Sequence, residues 1–130
     1  MQIEKKKISE FFYNTEFLCK CGKCNDYEIS KHHLTMLDFL RIYYGKPIII
    51  VSGRRCKNWN HTIKGNKNSA HLRENCSDIK VTNSRNRYKI LEIIFKRDLF
   101  NRIGINSKNG FIHLDNDDSL VKEVLWTYND

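Results

Sequence analysis

His71 and Asp78 lie seven residues apart, and His113 follows thirty-five residues past the aspartate. Neutral imidazole and carboxylate are ligand types suited to zinc. Three protein ligands with one open position for water make a catalytic rather than a structural site. The first pair sits in Ser69-Ala-His71-Leu-Arg-Glu-Asn-Cys-Ser-Asp78-Ile, the third residue in Gly110-Phe-Ile-His113-Leu-Asp115. One His and one Asp at such a spacing are common by chance, so the argument depends on the elements around them.

Those elements can be read locally. Ser30 is placed as the N-cap of a helix running to about Tyr44, with His33, Leu37, Leu40 and Tyr44 at helical spacing and Gly45 as terminator. Pro47-Ile-Ile-Ile-Val51 reads as a buried strand entering Ser52-Gly-Arg-Arg55, and a short helix follows over Lys57 to Ile63. Asn75 to Val81 alternates as a strand, which puts Cys76, Asp78 and Lys80 on one face. A helix from Ser84 to Asp98 would align Tyr88, Leu91, Ile94 and Phe95. Arg102 to Asn106 and Phe111 to Asp115 flank Ser107-Lys-Asn-Gly110, a hairpin signal, and Lys122 to Tyr128 reads as a last strand. Mixed strands and helices with a hairpin predict an α+β domain with a small, mainly antiparallel sheet and flanking helices. Residues 1–27 read as an irregular segment held by Phe11, Phe12, Phe17 and three cysteines, and 1–130 as a single domain.

Four blocks in this order resemble the zinc D-alanyl-D-alanine carboxypeptidase family, which includes phage endolysin peptidases and belongs to the hedgehog/DD-peptidase fold group. Phe17-Leu-Cys-Lys-Cys-Gly is similar to the family's N-terminal cysteine-bearing segment. Pro47 to Asn60 is similar to its block of a proline, a hydrophobic run, Ser-Gly-aromatic-Arg-Cys and a later Asn. The His71–Asp78 and His113–Asp115 stretches match its two metal-ligand blocks. The resemblance implies Zn2+ held by His71, Asp78 and His113, and Arg55 binding and polarising the scissile carbonyl. Zinc would bring water to a nucleophilic state near neutral pH, and a guanidinium would stabilise the oxyanion that forms. The implied substrate is a peptidoglycan stem peptide, cut at an amide bond next to a D-amino acid.

The chain departs from the family's His-x-x-Gly-x-Ala-x-Asp pattern. Glu74 stands for the Gly, Cys76 for the Ala, and Arg54 for the aromatic before the arginine. Cys76 on a strand would project to the same side as Asp78 and so towards the metal. The acid that several relatives carry three residues before the last histidine is here Gly110. Asp115 is the nominated general base, against the alternative that it orients a ligand from behind; Glu74 is an outside candidate. Ser69 is read as bracing the ligand loop. Asn60 and Trp59 are candidates to line a substrate groove, with core packing the alternative for Trp59. His61 is a weaker candidate for substrate contact, His33 a core-edge residue and His32 a surface one. Trp126 and Tyr128 read as core or groove wall.

Cys19, Cys21 and Cys24 could join Cys56 in a second, structural zinc site; free buried thiols or a disulfide from Cys19 or Cys24 to Cys56 are the alternatives. Five cysteines cannot all pair within one chain. The net charge of +8, from 23 basic and 15 acidic residues, favours polyanionic partners such as an acidic cell wall. The basic residues are spread along the chain, with no cluster long enough to choose among polyanions; a nucleic-acid partner is not the expected one, because it would leave the order of the His/Asp blocks unexplained. No apolar run approaches the roughly 20 residues of a membrane span, and Met1 to Lys7 is not followed by a signal-type apolar stretch. The expectation is a monomer made in the cytoplasm that acts on the wall after release or non-classical export. Two other classes compete: a catalytically impaired, zinc-containing wall-binding module, and a basic zinc-binding nucleic-acid binder.

Overall fold

Ser30 begins the first helix, α1 (Lys31–Tyr44), by accepting the His33 N–H on its hydroxyl at 3.1 Å, and Gly45, at φ 74°, ends it with a bond to Arg41. In the computed structural model, residues 3–128 are described; residues 1–2 and 129–130, the ends of the expected domain, lie outside them. Downstream come β1 (Ile50–Ser52), α2 (Lys57–Thr62), β2 (Cys76–Lys80), α3 (Ser84–Arg97), β3 (Arg102–Asn106), β4 (Phe111–Asp115) and β5 (Val124–Thr127).

The five strands form one sheet in the order β1-β2-β4-β3-β5. The sheet is mixed rather than mainly antiparallel, because β5 runs parallel to β3. The cause lies in residues 116–123. They leave β4 at the end where β3 begins, pass beyond β3, and start β5 with Val124 beside Arg102. No membrane-length apolar helix occurs among the described residues.

Strand alternation divides the sheet into two faces. Ser77, Ile79, Ile112, Leu114 and Ile103 are buried on the face covered by α1 and α3, where they meet Leu34, Leu37, Leu40, Ile90 and Ile94. The other face carries Cys76, Asp78, His113, Asp115, Arg102, Gly104 and Trp126. The same two-residue repeat that builds the core therefore collects the polar residues on the opposite side.

Three local expectations need correction. The inward stripe of α3 is centred on Ile90 and Ile94, while Tyr88 and Phe95 are 68% and 60% exposed. Tyr88 precedes Ile90 by two residues, nearly the far side of a helix, and Phe95 stands about a quarter-turn from Ile94. Pro47 to Val51 is not a buried strand. Ladder pairing begins only at Ile50, at the sheet edge where a proline is tolerated, and Ile49 faces outward. The N-terminal segment is less irregular than its composition suggests: a 3-10 turn over Asn14–Phe17 and a bridge between Lys7 and Tyr13 seat Phe12 and Phe17 in the core.

His33 lies deeper than the core edge. Its Nε2 is 2.8 Å from the Ser77 hydroxyl, its ring meets Phe100 edge-on, and Nδ1 has no hydrogen-bond partner among the described residues. Burial, reinforced by charge on His113 and His32, depresses it to about 3. The unfolded chain, with an ordinary value of about 6.5, binds this proton more readily. The stability is thus fully present above about pH 6.5 and is lost as pH falls towards the folded value. Thermal melts of the native chain should decline on this acid limb by up to about 1.4 kcal/mol per pH unit from this group. His33→Gln should flatten the limb; an unchanged slope would mean that His33 titrates alike in both states.

Candidate metal centre

Asp78 on β2 pairs directly with His113 on β4, which pairs with Gly104 on β3, which pairs with Trp126 on β5. One row of the polar face therefore reads Asp78, His113, Gly104, Trp126. The next reads Cys76, Asp115, Arg102, Val124. Directly paired residues have Cβ atoms roughly 4.5–5.5 Å apart, close enough for short side chains to meet at one point. Gly104 matters here: a Cβ would lie 2.5 Å from the Trp126 indole, which instead rests over the glycine with its ring centre 5.3 Å from that of His113.

His71 reaches the same point from outside the sheet. It lies in the 3-10 turn Ala70–Leu72, whose start is capped by Ser69 accepting the His71 N–H at 3.1 Å. Arg73 pins the turn to the β4–β5 connection through Asp117, at 2.5 Å. The His71 Nδ1 donates to the Gly53 carbonyl at 2.7 Å. Position 53 must be glycine for its packing on the N-terminal segment, since a Cβ would sit 2.6 Å from the Phe17 backbone.

These partners orient the rings. A carbonyl can only accept, so His71 carries a proton on Nδ1 and turns Nε2 inward. His113 has a carboxylate at each ring nitrogen, Asp115 Oδ2 2.6 Å from Nε2 and Asp78 Oδ1 beside Nδ1, so an ion at Nδ1 would leave its proton on Nε2. Both inward nitrogens face one carboxylate oxygen, with Asp78 Oδ1 3.2 Å from His71 Nε2 and 3.0 Å from His113 Nδ1. Three lone-pair donors converging in a buried place repel unless a cation lies between them. This donor set, oriented from behind by a carbonyl and a carboxylate, fits zinc. Burial alone would lower the His71 pKa, but the Cys76 and Asp78 charges outweigh it and lift the imidazole to about 9, so near neutral pH an inward proton holds the place that an ion would take. Burial likewise works against the Asp78 carboxylate, yet His71 and His113 hold it well below its ordinary range.

Cys76 completes the cluster. Its sulfur is fully buried, 3.7 Å from each ring nitrogen of His113, and groups with His71 and His113 within 4.8 Å as a metal-holding set. Burial raises the thiol, but His113 and His71 together bring it below its usual value. Glu74, the other departure from the family block, does not take a positive φ and is solvent-exposed, so it costs no backbone strain and stands outside the cluster.

Asp115 is fully buried, and both oxygens are engaged. Oδ2 holds His113; Oδ1 accepts the Asp117 N–H at 2.9 Å and lies 2.9 Å from Arg102 Nε. Arg55 is anchored by its N–H on the His71 carbonyl, 2.8 Å, and by a bond from its guanidinium to Asn60 Oδ1, 2.7 Å. Its side chain and those of His71 and His113 open into a cavity of about 730 Å³. Ser69 also lines it. Asn60 lies behind Arg55, and Trp59, half-buried, is outside the lining, as is exposed His61. The sulfurs of Cys19, Cys21, Cys24 and Cys56 form a separate group.

Sequence reasoning did not single out Lys64 or Arg102, which with Arg55 make the cavity cationic; among the described residues no carboxylate lines it. Tyr128 and Trp126 supply the wall. Arg102 could have been found from the hairpin, because its loop fixes the register that sets Arg102 opposite Asp115.

A family profile described as Peptidase M15 matches residues 10–115. No curated protein matches the chain.

Proposed function

Because the chain belongs to the peptidase M15 family, whose profile spans most of it, we propose that it is a zinc-dependent peptidase of peptidoglycan stem peptides, hydrolysing amide bonds next to D-amino acids. Membership supports a metallopeptidase; the substrate, and a fold of the hedgehog/DD-peptidase kind, are the finer part of the proposal. The observation that carries the reading is the convergence of His71 Nε2, Asp78 Oδ1 and His113 Nδ1 beside an open cavity, with the far nitrogen of each imidazole held on an acceptor.

His71, Asp78 and His113 would hold the ion, which when bound supplies Lewis acidity and a water made acidic enough to attack near neutral pH. The surrounding residues do the rest. Arg55 projects a guanidinium into the cavity beside His71, placed to bind the scissile carbonyl and to favour the oxyanion of the tetrahedral state. Lys64 and Arg102 give the cavity a positive field, which suits the free carboxylates of a stem peptide. Trp126 and Tyr128 offer an apolar wall for short side chains. Asp115 acts through His113, keeping its proton on Nε2, rather than on water. The chain would work as a monomer, and its excess of basic residues would retain it on an acidic wall.

Cys76 supports a second reading. A thiolate beside the two histidines could close the fourth ligand position, and a closed site is structural. The chain would then be a wall-binding module. Mass spectrometry of purified peptidoglycan incubated with the protein, with and without a zinc chelator, separates the two. Chelator-sensitive release of D-alanine or of cross-link fragments is the expected result and names the bond. Intact peptidoglycan from several wall types, with zinc bound at the centre, would favour the binding module.

A further inference from the structure

The four-cysteine group is separate from the metal centre just described, and no step of the proposed reaction uses it. Cys19, Cys21 and Cys24 come from one loop, closed by the Cys19 N–H on the Asp26 carbonyl at 2.7 Å. Cys56 comes from the N-cap of α2. All four sulfurs lie within 4.8 Å of one another, with Cys21 and Cys24 3.4 Å apart. Sulfurs around a tetrahedral zinc at about 2.3 Å stand roughly 3.8 Å from each other, so the group needs only small adjustments to enclose an ion.

Backbone donors line the group. Backbone N–H groups point at three of the sulfurs: Cys56 to Cys19 at 3.3 Å, Lys23 to Cys21 at 3.2 Å and Trp59 to Cys56 at 3.4 Å. Such donors stabilise negative sulfur. A metal would take up the charge that four neighbouring thiolates cannot hold together.

We propose that Cys19, Cys21, Cys24 and Cys56 bind a zinc ion of their own, which ties the N-terminal loop to the residue next to Arg55. The tie continues a seam already present, in which Arg54 donates its N–H to the Phe17 carbonyl at 2.9 Å and Gly53 packs on Phe17. The ion fixes both ends of the Gly53–Cys56 stretch, from which Gly53 braces His71 and Arg55 faces the cavity. Metal binding here is independent of the peptidase reading; only the consequence for Arg55 rests on it.

The test is metal content of the full chain purified with reductant and supplied with zinc. Two ions per chain are expected. Cys21→Ser with Cys24→Ser should leave one, and His113→Ala with Cys76→Ala should leave the other. Cobalt loaded into the Cys76→Ala protein should give an intense thiolate-to-metal charge-transfer band, because the four cysteines are then the only thiols. This measurement leaves the cluster intact, so it decides the matter even if the Cys21/Cys24 variant does not fold. One ion per native chain, kept in full by the Cys21/Cys24 variant, would overturn the proposal. So would absence of the cobalt band, or an intact mass two hydrogens light in the reduced, metal-loaded protein. A single ion that survives in the His113/Cys76 variant but not in the Cys21/Cys24 variant would uphold the cysteine site and sink the peptidase reading instead.

Discussion

His113→Ala is expected to lower amide hydrolysis by on the order of 10³-fold or more and to release the ion held with His71 and Asp78. The size of the effect follows from position. His113 sits on β4, between Asp78 on one neighbouring strand and Gly104, with Trp126 beyond, on the other. Its Nδ1 is a ligand atom, its Nε2 is the handle by which Asp115 orients it, and its ring borders the cavity. Removing it takes away a ligand and leaves the Asp115 carboxylate facing an empty space. Turnover of a stem peptide and zinc content should be measured on the same preparation, with a thermal melt to show that the sheet persists. His113→Gln, which keeps most of the volume, should fail almost as completely. A variant that keeps turnover within about tenfold of the native chain would show that the ion, if bound, does not drive the reaction.

What was legible in the sequence was whatever a few adjacent residues decide. Ser30 and Gly45 bound α1 because capping and left-handed termination are local chemistry. The hairpin could be placed because Asn109-Gly110 lies in the connection between two alternating runs. The direction of β5 was not legible. It depends on how eight residues cross the end of β3, and nothing in the Lys122–Tyr128 pattern distinguishes a parallel partner from an antiparallel one. The same division runs through the site. Alternation put Cys76 on the side of Asp78, and the register sets that pair opposite Asp115 and His113. The proton positions could not be read, since they come from the Gly53 carbonyl and from Asp115, groups brought in by the 3-10 turn and by the strand pairing. Nor could the cationic lining, because Lys64, Arg55 and Arg102 are scattered in sequence and meet only around the cavity.

Asp115→Asn should weaken zinc binding by about 10- to 100-fold and lower hydrolysis on the order of 10²-fold or more, with part of the loss recovered at saturating zinc. The two oxygens of Asp115 have different neighbours. Oδ1 accepts the Asp117 N–H and lies against the positive Arg102 guanidinium, whereas Oδ2 meets His113 Nε2. An asparagine would keep its carbonyl oxygen on the side of that N–H and that charge, which turns its NH2 towards Nε2. That ring nitrogen must then accept, so the imidazole proton moves to Nδ1, the atom required as a ligand. Isosteric replacement thus disables the metal site through the wrong tautomer, without creating a cavity. If Asp115 were the general base, the variant would lose turnover at saturating zinc while its zinc affinity stayed native. Native affinity together with native turnover would remove Asp115 from both roles. A zinc titration beside a turnover measurement therefore distinguishes a carboxylate that acts on water from one that acts through a histidine. The burial of Asp115 and the occupancy of both its oxygens favour the second.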